Sequence, residues 1–139
     1  MTDKLKIGII GAGAAGMAAA GHAAELGAEV TLFDKNDRPG RKLAITGKGR
    51  CNLTNYSDIQ NYMANIPTNP RFLYGALCEF TPSDTMTLLE SLGVKLKVER
   101  GNRVFPESDK AYDIVDALKR YSGSARYINE KVISIDTAA

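Results

Sequence analysis

The sequence predicts an α/β fold that begins with a β-α-β unit, and three observations predict it. A short run that ends in β-branched residues, Lys4 to Ile10, leads directly into a glycine. A segment rich in alanine follows and is closed by Gly27, and a second β-branched run, Glu29 to Phe33, comes next. Strand, glycine turn, helix and second strand fit within about 30 residues, which is the size of a βαβ unit.

Each element of the unit has its own local signal. The continuous apolar end of Lys4 to Ile10 favours a strand buried in a parallel sheet. Ala14 to Leu26 contains small and apolar residues of high helix propensity, with Gly27 as the C-cap. Lys35 to Asn55 has almost no hydrophobic periodicity, which predicts a long loop, and a loop of this length is usually functional or disordered.

Helices and short strands alternate in the remainder of the chain, and no internal repeat is visible. The start signal Thr81-Pro82-Ser83-Asp84 opens one of the helices. The predicted helices are Pro70 to Phe80, Pro82 to Leu92 and Ser108 to Tyr121. The predicted strands are Val94 to Glu99 and Arg103 to Phe105, joined by a Gly101-Asn102 turn, and a last strand at Lys131 to Ile135.

The bulk composition predicts a folded domain with no nucleic-acid partner and no membrane partner. A formal net charge of +2 over 139 residues is too small to indicate a nucleic-acid surface. Every apolar stretch is shorter than the about 20 residues of a membrane span, and no signal-peptide pattern is present. The two cysteines, Cys51 and Cys78, lack metal or disulfide spacing, so we expect no metal site and a reducing cytoplasm.

The strongest motif for chemistry is a G-x-G-x-x-G sequence between the first strand and the first helix, Gly11 to Gly16. Gly11 permits the tight turn, and Gly13 lets a pyrophosphate approach the backbone. Gly16 lets the helix pack closely on the strand. The free N–H groups at the start of the helix would then face the phosphates of a dinucleotide.

Asp34, at the end of the second strand, is the candidate for binding the adenosine ribose. A carboxylate there accepts hydrogen bonds from ribose hydroxyls, whereas the 2′-phosphate of NADP would meet a like charge. FAD and NAD share the adenosine diphosphate half, so these residues leave both open. A solvated aspartate that opens a turn is the structural alternative.

The basic loop between the second strand and Asn55 carries a more specific pattern. Gly40-Arg41-Lys42-Leu43 is followed by Thr46-Gly47-Lys48-Gly49-Arg50-Cys51-Asn52-Leu53-Thr54-Asn55, and a later segment reads Arg103-Val104-Phe105-Pro106, then Ser108, Lys110, Ala111 and Asp113. These motifs closely resemble the signature of the BaiN/YhiN-like bacterial flavoproteins, also described as aminoacetone-oxidase-like. The resemblance extends from Lys6 to Ile135.

The resemblance implies a Rossmann-like FAD-binding domain of the glutathione-reductase type, interrupted in the family by inserted domains. It also implies that residues 1–139 are the N-terminal portion of a longer flavoprotein. Many members carry glutamate where this chain has Asp34, so the reach to the ribose differs.

By position in the resembled motifs, FAD contacts fall into four groups. The groups are Gly11, Gly13, Ala14 and Ala15 at the pyrophosphate; Asp34 and Lys35 at the adenosine end; Arg41, Lys42 and Thr46, Gly47, Gly49, Arg50, Cys51 and Asn52 along the rest of FAD; and the backbone of Val132 at adenine.

The implied function is that of a flavin-dependent oxidoreductase acting on a small molecule. An NAD-dependent dehydrogenase domain and a non-catalytic flavin-binding module are the alternatives. No side chain is a convincing acid, base or nucleophile, so the catalytic residues stay unassigned.

Three single residues are interpreted as structural. Cys51 is interpreted as a packing residue in preference to a redox thiol, Cys78 as a core residue and His22 as a surface or packing residue. We also expect the isolated chain to expose apolar surface and self-associate.

Overall fold

A computed structural model describes residues 3–137, and the chain forms two compact units. Of the described residues, the first unit comprises 3–45 and 115–137, and the second comprises 46–114. The strands are β1 (Lys6–Ile10), β2 (Glu29–Asp34), β3 (Thr54–Asn55), β4 (Leu96–Glu99), β5 (Arg103–Pro106) and β6 (Arg126–Asn129). The helices are α1 (Ala14–Glu25), α2 (Arg41–Ile45), α3 (Ile59–Ala64), α4 (Arg71–Glu79), α5 (Pro82–Ser91) and α6 (Ala111–Tyr121), with a 3₁₀ helix at Thr46–Gly49.

The first unit contains a parallel sheet in the order β1-β2-β6. Helix α1 connects β1 to β2, and its residues Met17 and Ala20 are buried, as are Val30 and Leu32 of β2. These side chains form the core of a β-α-β unit, because α1 packs on the strands that it connects. The predicted α/β class and the first three predicted elements are confirmed.

Strand β1 is less buried than the sequence predicts. Its side chains alternate between exposed and half-buried, and Ile10 is 58% exposed. Among the described residues β1 pairs only with β2, so one of its edges carries no partner strand. The apolar run correctly indicated a parallel strand, but burial also depends on neighbouring strands, which the run does not encode.

The last strand lies earlier in the chain than predicted. β6 is Arg126–Asn129, whereas Lys131 to Ile135 forms no strand and Ile133 is 88% exposed. The free edge of β2 is used by β6, with Tyr127 opposite Leu32 in the register. The apolar alternation of the later segment was therefore misleading, because pairing with β2 decides which segment becomes the strand.

The second unit contains an antiparallel sheet in the order β3-β5-β4. The β4–β5 hairpin turns through Gly101 and Asn102, which have φ values of 76° and 57°. Two consecutive positive φ values suit the turn types that join adjacent strands, so the predicted Gly101-Asn102 turn is confirmed. Val104 and Phe105 of β5 are buried and form the core of this unit with Leu89 and Val94.

The segment from Lys35 to Asn55 is more ordered than the predicted loop. It contains α2, the 3₁₀ helix and β3, and Asp58 then caps α3, which the sequence did not predict. Asp58 accepts a hydrogen bond from the Asn61 N–H at 2.8 Å. Elements this short contain too few residues to show a hydrophobic period, whereas the capping aspartate was a usable local signal.

The three predicted helices of the later chain are present with small changes. Thr81 and Asp84 form a reciprocal capping box at the start of α5, as the start signal indicated. Helix α6 begins at Ala111 and not at Ser108, because Asp109 takes a left-handed φ of 58°.

Cys78 is exposed on α4, so its prediction as a core residue was wrong. None of the helices within residues 3–137 is long and apolar enough to cross a membrane.

Candidate dinucleotide site

The glycine turn after β1 has the geometry that its spacing predicts. Gly11 has a φ of 100°, a conformation that favours glycine, and its N–H donates to the Phe33 carbonyl at 2.7 Å. A Cβ atom at Gly16 would lie 1.8 Å from the Gly11 carbonyl oxygen, so only glycine lets α1 approach the turn this closely. A Cβ atom at Gly13 would meet nothing within 4 Å, which leaves open space in front of the turn.

The start of α1 leaves its N–H groups available to an anion. Gly13 is the N-cap and has no side chain to cap the helix, and the first turn contains no acidic residue. Ala14 and Ala15 are exposed. Free N–H groups and the positive end of the helix dipole stabilise a phosphate by about 0.3–2 kcal/mol, so this end suits a pyrophosphate.

Asp34 at the end of β2 is bonded to the backbone of the glycine turn. Its Oδ2 accepts from the Ala12 N–H at 2.6 Å, and its Oδ1 accepts from the backbone and side-chain amides of Asn36 at 2.7 Å. Burial raises the pKa of the Asp34 carboxyl, but the N–H donors of Asn36 and Ala12 outweigh this effect and the net pKa is lowered. The carboxylate is thus ionised at neutral pH and held at the edge of the turn.

Three residues that the sequence did not single out surround Asp34. The Asn36 carbonyl accepts hydrogen bonds from the Tyr127 hydroxyl and, at 2.6 Å, from the Asn129 side chain. Asn129 also donates to the Asp34 carbonyl at 3.1 Å. Tyr127 and Asn129 belong to β6, so their role depends on the pairing of β6 with β2 and has no local signal.

The basic residues of the predicted cofactor loop that belong to this unit lie directly after Asp34. Lys35, Arg41 and Lys42 are exposed, and the Arg41 guanidinium donates to the Asn36 side chain at 3.4 Å. The segment is tied back to the glycine turn because the Gly40 N–H donates to the Ala12 carbonyl at 2.7 Å. The first unit thus brings the glycine turn, Asp34 and the start of the basic motif together.

In the second unit, the TGKGRC sequence forms a tight left-handed turn. Gly47 and Lys48 have φ values of 56° and 57°, and Cys51 has a φ of 60°. A left-handed conformation costs about 1–2 kcal/mol at a residue other than glycine, so Lys48 and Cys51 must be held there. The Cys51 N–H donates to the Thr46 carbonyl at 3.0 Å and closes the turn.

Cys51 is fully buried, with 0% exposure. Burial raises the pKa of its thiol, and a hydrogen bond with Thr46 only partly opposes this effect. A reactive thiol is accessible and has a lowered pKa, so the interpretation of Cys51 as a packing residue is confirmed. The neighbouring Asn52 is exposed.

Arg50 is occupied by carboxylates of its own unit. Its Nη2 forms ion pairs with Glu99 and, at 2.6 Å, with Asp109, while its Nε donates to Asp109 at 2.8 Å. The guanidinium carbon lies 4.2 Å from the centre of the Phe105 ring. Lys97 completes the cluster through Asp109, with its Nζ at 2.8 Å from the carboxylate.

Val132 lies outside any strand and is half-buried. Its predicted contact with adenine through a strand backbone therefore loses the strand on which it was placed. Within residues 3–137 no group of three metal-binding side chains is brought together.

Residues 5–136 match the HI0933-like protein Rossmann domain family. The chain belongs to this family. The resemblance to BaiN/YhiN-like flavoproteins that rests on the GRKL and TGKGRCNLTN motifs is thereby confirmed. The HI0933-like Rossmann domain also accounts for the β-α-β unit and glycine turn of the first unit.

Three relatives have similar sequences. A ribosomal RNA dihydrouridine synthase of Escherichia coli (strain K12) is 40% identical over 111 residues, which are 79% of this chain and 27% of the relative. A 3-dehydro-bile acid delta(4,6)-reductase of Clostridium scindens is 37% identical over 117 residues, 82% of this chain and 28% of the relative. A ribosomal RNA dihydrouridine synthase of Haemophilus influenzae is 36% identical over 111 residues, 80% of this chain and 27% of the relative. The chain therefore spans little more than a quarter of the length of these relatives.

Proposed function

We propose that this HI0933-like domain binds FAD through the glycine turn, the start of α1 and Asp34. The observation that carries the proposal is the open space at Gly13 beside an uncapped helix start, with an ionised carboxylate bonded to the same turn. A pyrophosphate fits the first feature because it is an anion that needs close approach to backbone N–H groups. A ribose fits the second because its hydroxyls donate to carboxylates.

FAD is favoured over the other nucleotides by chemistry at Asp34 and by the family. The 2′-phosphate of NADP would face the lowered-pKa carboxylate of Asp34, and FMN has no adenosine for Asp34 to hold. NAD satisfies Asp34 equally well, and an NAD-dependent dehydrogenase domain is the alternative on that ground. The HI0933-like match supports FAD, since this family resembles the BaiN/YhiN-type flavoproteins.

We propose further that the whole protein is an FAD-dependent oxidoreductase that adds hydrogen to a ring carbon–carbon double bond. The names of the relatives support this reaction, because a dihydrouridine is a uridine with two added hydrogens and a delta(4,6)-reductase acts on steroid ring double bonds. When bound, FAD would supply the hydride chemistry, while the protein binds and orients it. The glycine turn would hold the pyrophosphate and Asp34 the ribose.

A small molecule is the proposed substrate, consistent with the weak net charge of +2. A uridine of ribosomal RNA is the second candidate, because two of the relatives are named for that substrate. The two candidates are separated by adding each to the reduced protein and following reoxidation of the flavin without oxygen. We expect a 3-oxo steroid with conjugated double bonds to reoxidise it, whereas reoxidation by ribosomal RNA alone would favour the second candidate.

The cofactor itself is tested by heating the purified protein and identifying the released nucleotide by chromatography. We expect FAD. Release of FMN would contradict the ribose role of Asp34, and release of NAD would favour the dehydrogenase alternative.

A further inference from the structure

The positive charge of the Arg50 side chain is already balanced by carboxylates, which weakens its attraction for a cofactor phosphate. Both Nε and Nη2 donate to Asp109, and Nη2 also pairs with Glu99. These three contacts hold the guanidinium over Phe105, where its carbon lies 4.2 Å from the ring centre. Lys97 adds a second positive charge to the two carboxylates, so the cluster as a whole is neutral.

The turn that Arg50 belongs to needs support from outside itself. Lys48 and Cys51 hold left-handed φ values that side chains other than glycine rarely adopt. A Cβ atom at Gly47 would lie 2.8 Å from the Asn52 nitrogen, which shows how tightly the turn is closed. Cys51 fixes the end of the turn by its full burial, and Arg50 is the neighbouring residue that connects it to other strands.

Those connections reach the sheet of the second unit. Glu99 ends β4, Phe105 lies on β5, and Asp109 follows β5 in its own left-handed turn. The bonds to Arg50 therefore cross from the 46–51 turn to residues far along the chain, all within residues 46–114.

We propose that Arg50 is a positioning residue, which holds the 46–51 turn in its left-handed conformation through Glu99, Asp109 and Phe105 and does not itself contact FAD. The proposal rests on the proposed function only in the motif-based prediction that Gly47 and Gly49 contact the cofactor. It differs from the sequence-based prediction that Arg50 is a cofactor-binding residue.

The first experiment uses no FAD. The turn is probed by the rate at which a thiol reagent labels Cys51, followed by mass spectrometry, with exposed Cys78 as the internal reference. Arg50→Met should raise the labelling rate of Cys51 about tenfold or more, since loss of hydrogen bonds to a charged group opens the turn. Arg50→Lys keeps the positive charge but loses the planar guanidinium that bonds two carboxylates at once. It should therefore give an intermediate labelling rate of Cys51.

Arg103→Met is the matched control. Arg103 also lies near the Phe105 ring, at 5.7 Å, and its Nε donates to the Arg100 carbonyl. Its loss removes a positive charge near the same ring and leaves the bonds between Arg50 and the carboxylates intact. Cys51 should therefore stay protected from the thiol reagent. Equal protection of Cys51 in the wild type and Arg50→Met would overturn the proposal.

The second experiment separates positioning from direct contact by FAD titration. If Arg50 contacted FAD, then Glu99→Gln with Asp109→Asn would free its charge and tighten FAD binding. If Arg50 only positions the turn, the double variant should instead weaken FAD binding about as much as Arg50→Met, roughly 10- to 100-fold.

The pH dependence provides a readout that general destabilisation does not produce. FAD affinity of the wild type should fall as acid protonates Glu99 and Asp109, and the double amide variant should lose that part of the acid dependence and keep only the part that comes from Asp34. Tighter binding in the double variant would overturn the proposal. A wild-type protein that binds no FAD would refute the proposed function instead, and the labelling of Cys51 would still decide the role of Arg50.

Discussion

At the scale of single residues, Gly13 and Gly16 differ in what surrounds their α-carbons. Gly16 faces the Gly11 carbonyl at a distance that no Cβ atom tolerates, whereas Gly13 faces open space. Two glycines of one motif therefore have separable roles, one in folding and one in binding.

We predict that Gly16→Ala destabilises the fold and that Gly13→Val does not. Gly16→Ala must push α1 away from the turn, so its free energy of unfolding should fall by about 1–3 kcal/mol or more. Gly13→Val should unfold near the wild-type urea concentration yet lose FAD binding, because its side chain fills the space for the pyrophosphate. Urea denaturation and FAD titration of the same two samples check both halves, and the reverse result would contradict the assignment.

Asp34 has a structural role in addition to the proposed ribose contact. Asp34→Ala should weaken FAD binding by about 1.5–4 kcal/mol and also lower the free energy of unfolding, because the N–H groups of Ala12 and Asn36 lose their acceptor. Asp34→Glu should cost less in FAD binding. Asp37→Ala, an exposed carboxylate in the same segment, is the control that should change neither quantity. Unchanged FAD binding in Asp34→Ala would contradict the proposed contact between Asp34 and the ribose.

At the scale of elements, β6 pairs with β2 and bonds to the Asn36 carbonyl beside Asp34, at the candidate adenosine end of the site. Tyr127→Phe removes only the hydroxyl that donates to the Asn36 carbonyl. We expect a loss of about 0.5–1.5 kcal/mol in the free energy of unfolding. Tyr112→Phe, whose side chain is exposed on α6, should be neutral. Equal losses in the two variants would mean that the bond to Asn36 contributes nothing specific.

The β4–β5 hairpin and its charges make the second unit acid-sensitive in a defined direction. Hydrogen bonds from Arg50 lower the pKa of Glu99, and those from Lys97 and then Arg50 lower the pKa of Asp109. Groups with a lowered pKa contribute stability above their ordinary values, here 4.5 and 3.8, and lose it as the pH falls through the lowered values.

We predict that wild-type stability falls between roughly pH 5 and pH 3 and that Glu99→Gln with Asp109→Asn reduces this fall. The urea midpoint measured across that range checks the prediction. Glu107→Gln is the control, since Glu107 is an exposed carboxylate of the same unit and no ion pair with it is found among residues 3–137. A steeper fall in the double variant than in the wild type would contradict the sign of the effect.

At the scale of the whole molecule, apolar side chains on α4 and at its C-cap remain exposed. Phe72 is 80% exposed, and Tyr74 and Phe80 are about half exposed. Exposed large apolar side chains favour association, so the 139-residue chain should self-associate at high concentration. Phe72→Ser should reduce the apparent mass in light scattering, whereas Tyr112→Ser on α6 should not. Monomeric wild-type protein at all concentrations would contradict this prediction.

Much of the first unit was predictable because its signals are local. The positive φ of Gly11, the close packing at Gly16 and the position of Asp34 after a strand follow from the spacing of a few neighbouring residues. The same holds for the Gly101-Asn102 turn and the capping box of α5. The sequence by itself thus determined the β-α-β unit and the residues of its glycine turn.

Only the tertiary structure decided which distant residues meet. The pairing of β6 with β2, and not of the later apolar segment, brings Tyr127 and Asn129 to Asn36. The carboxylate partners of Arg50 lie on β4 and after β5. The basic motif that contains Arg50 cannot by itself indicate that these distant carboxylates balance the Arg50 charge. Hydrophobic periodicity and backbone preferences act over a few residues, whereas strand pairing and ion pairs depend on where the folded chain brings remote segments together.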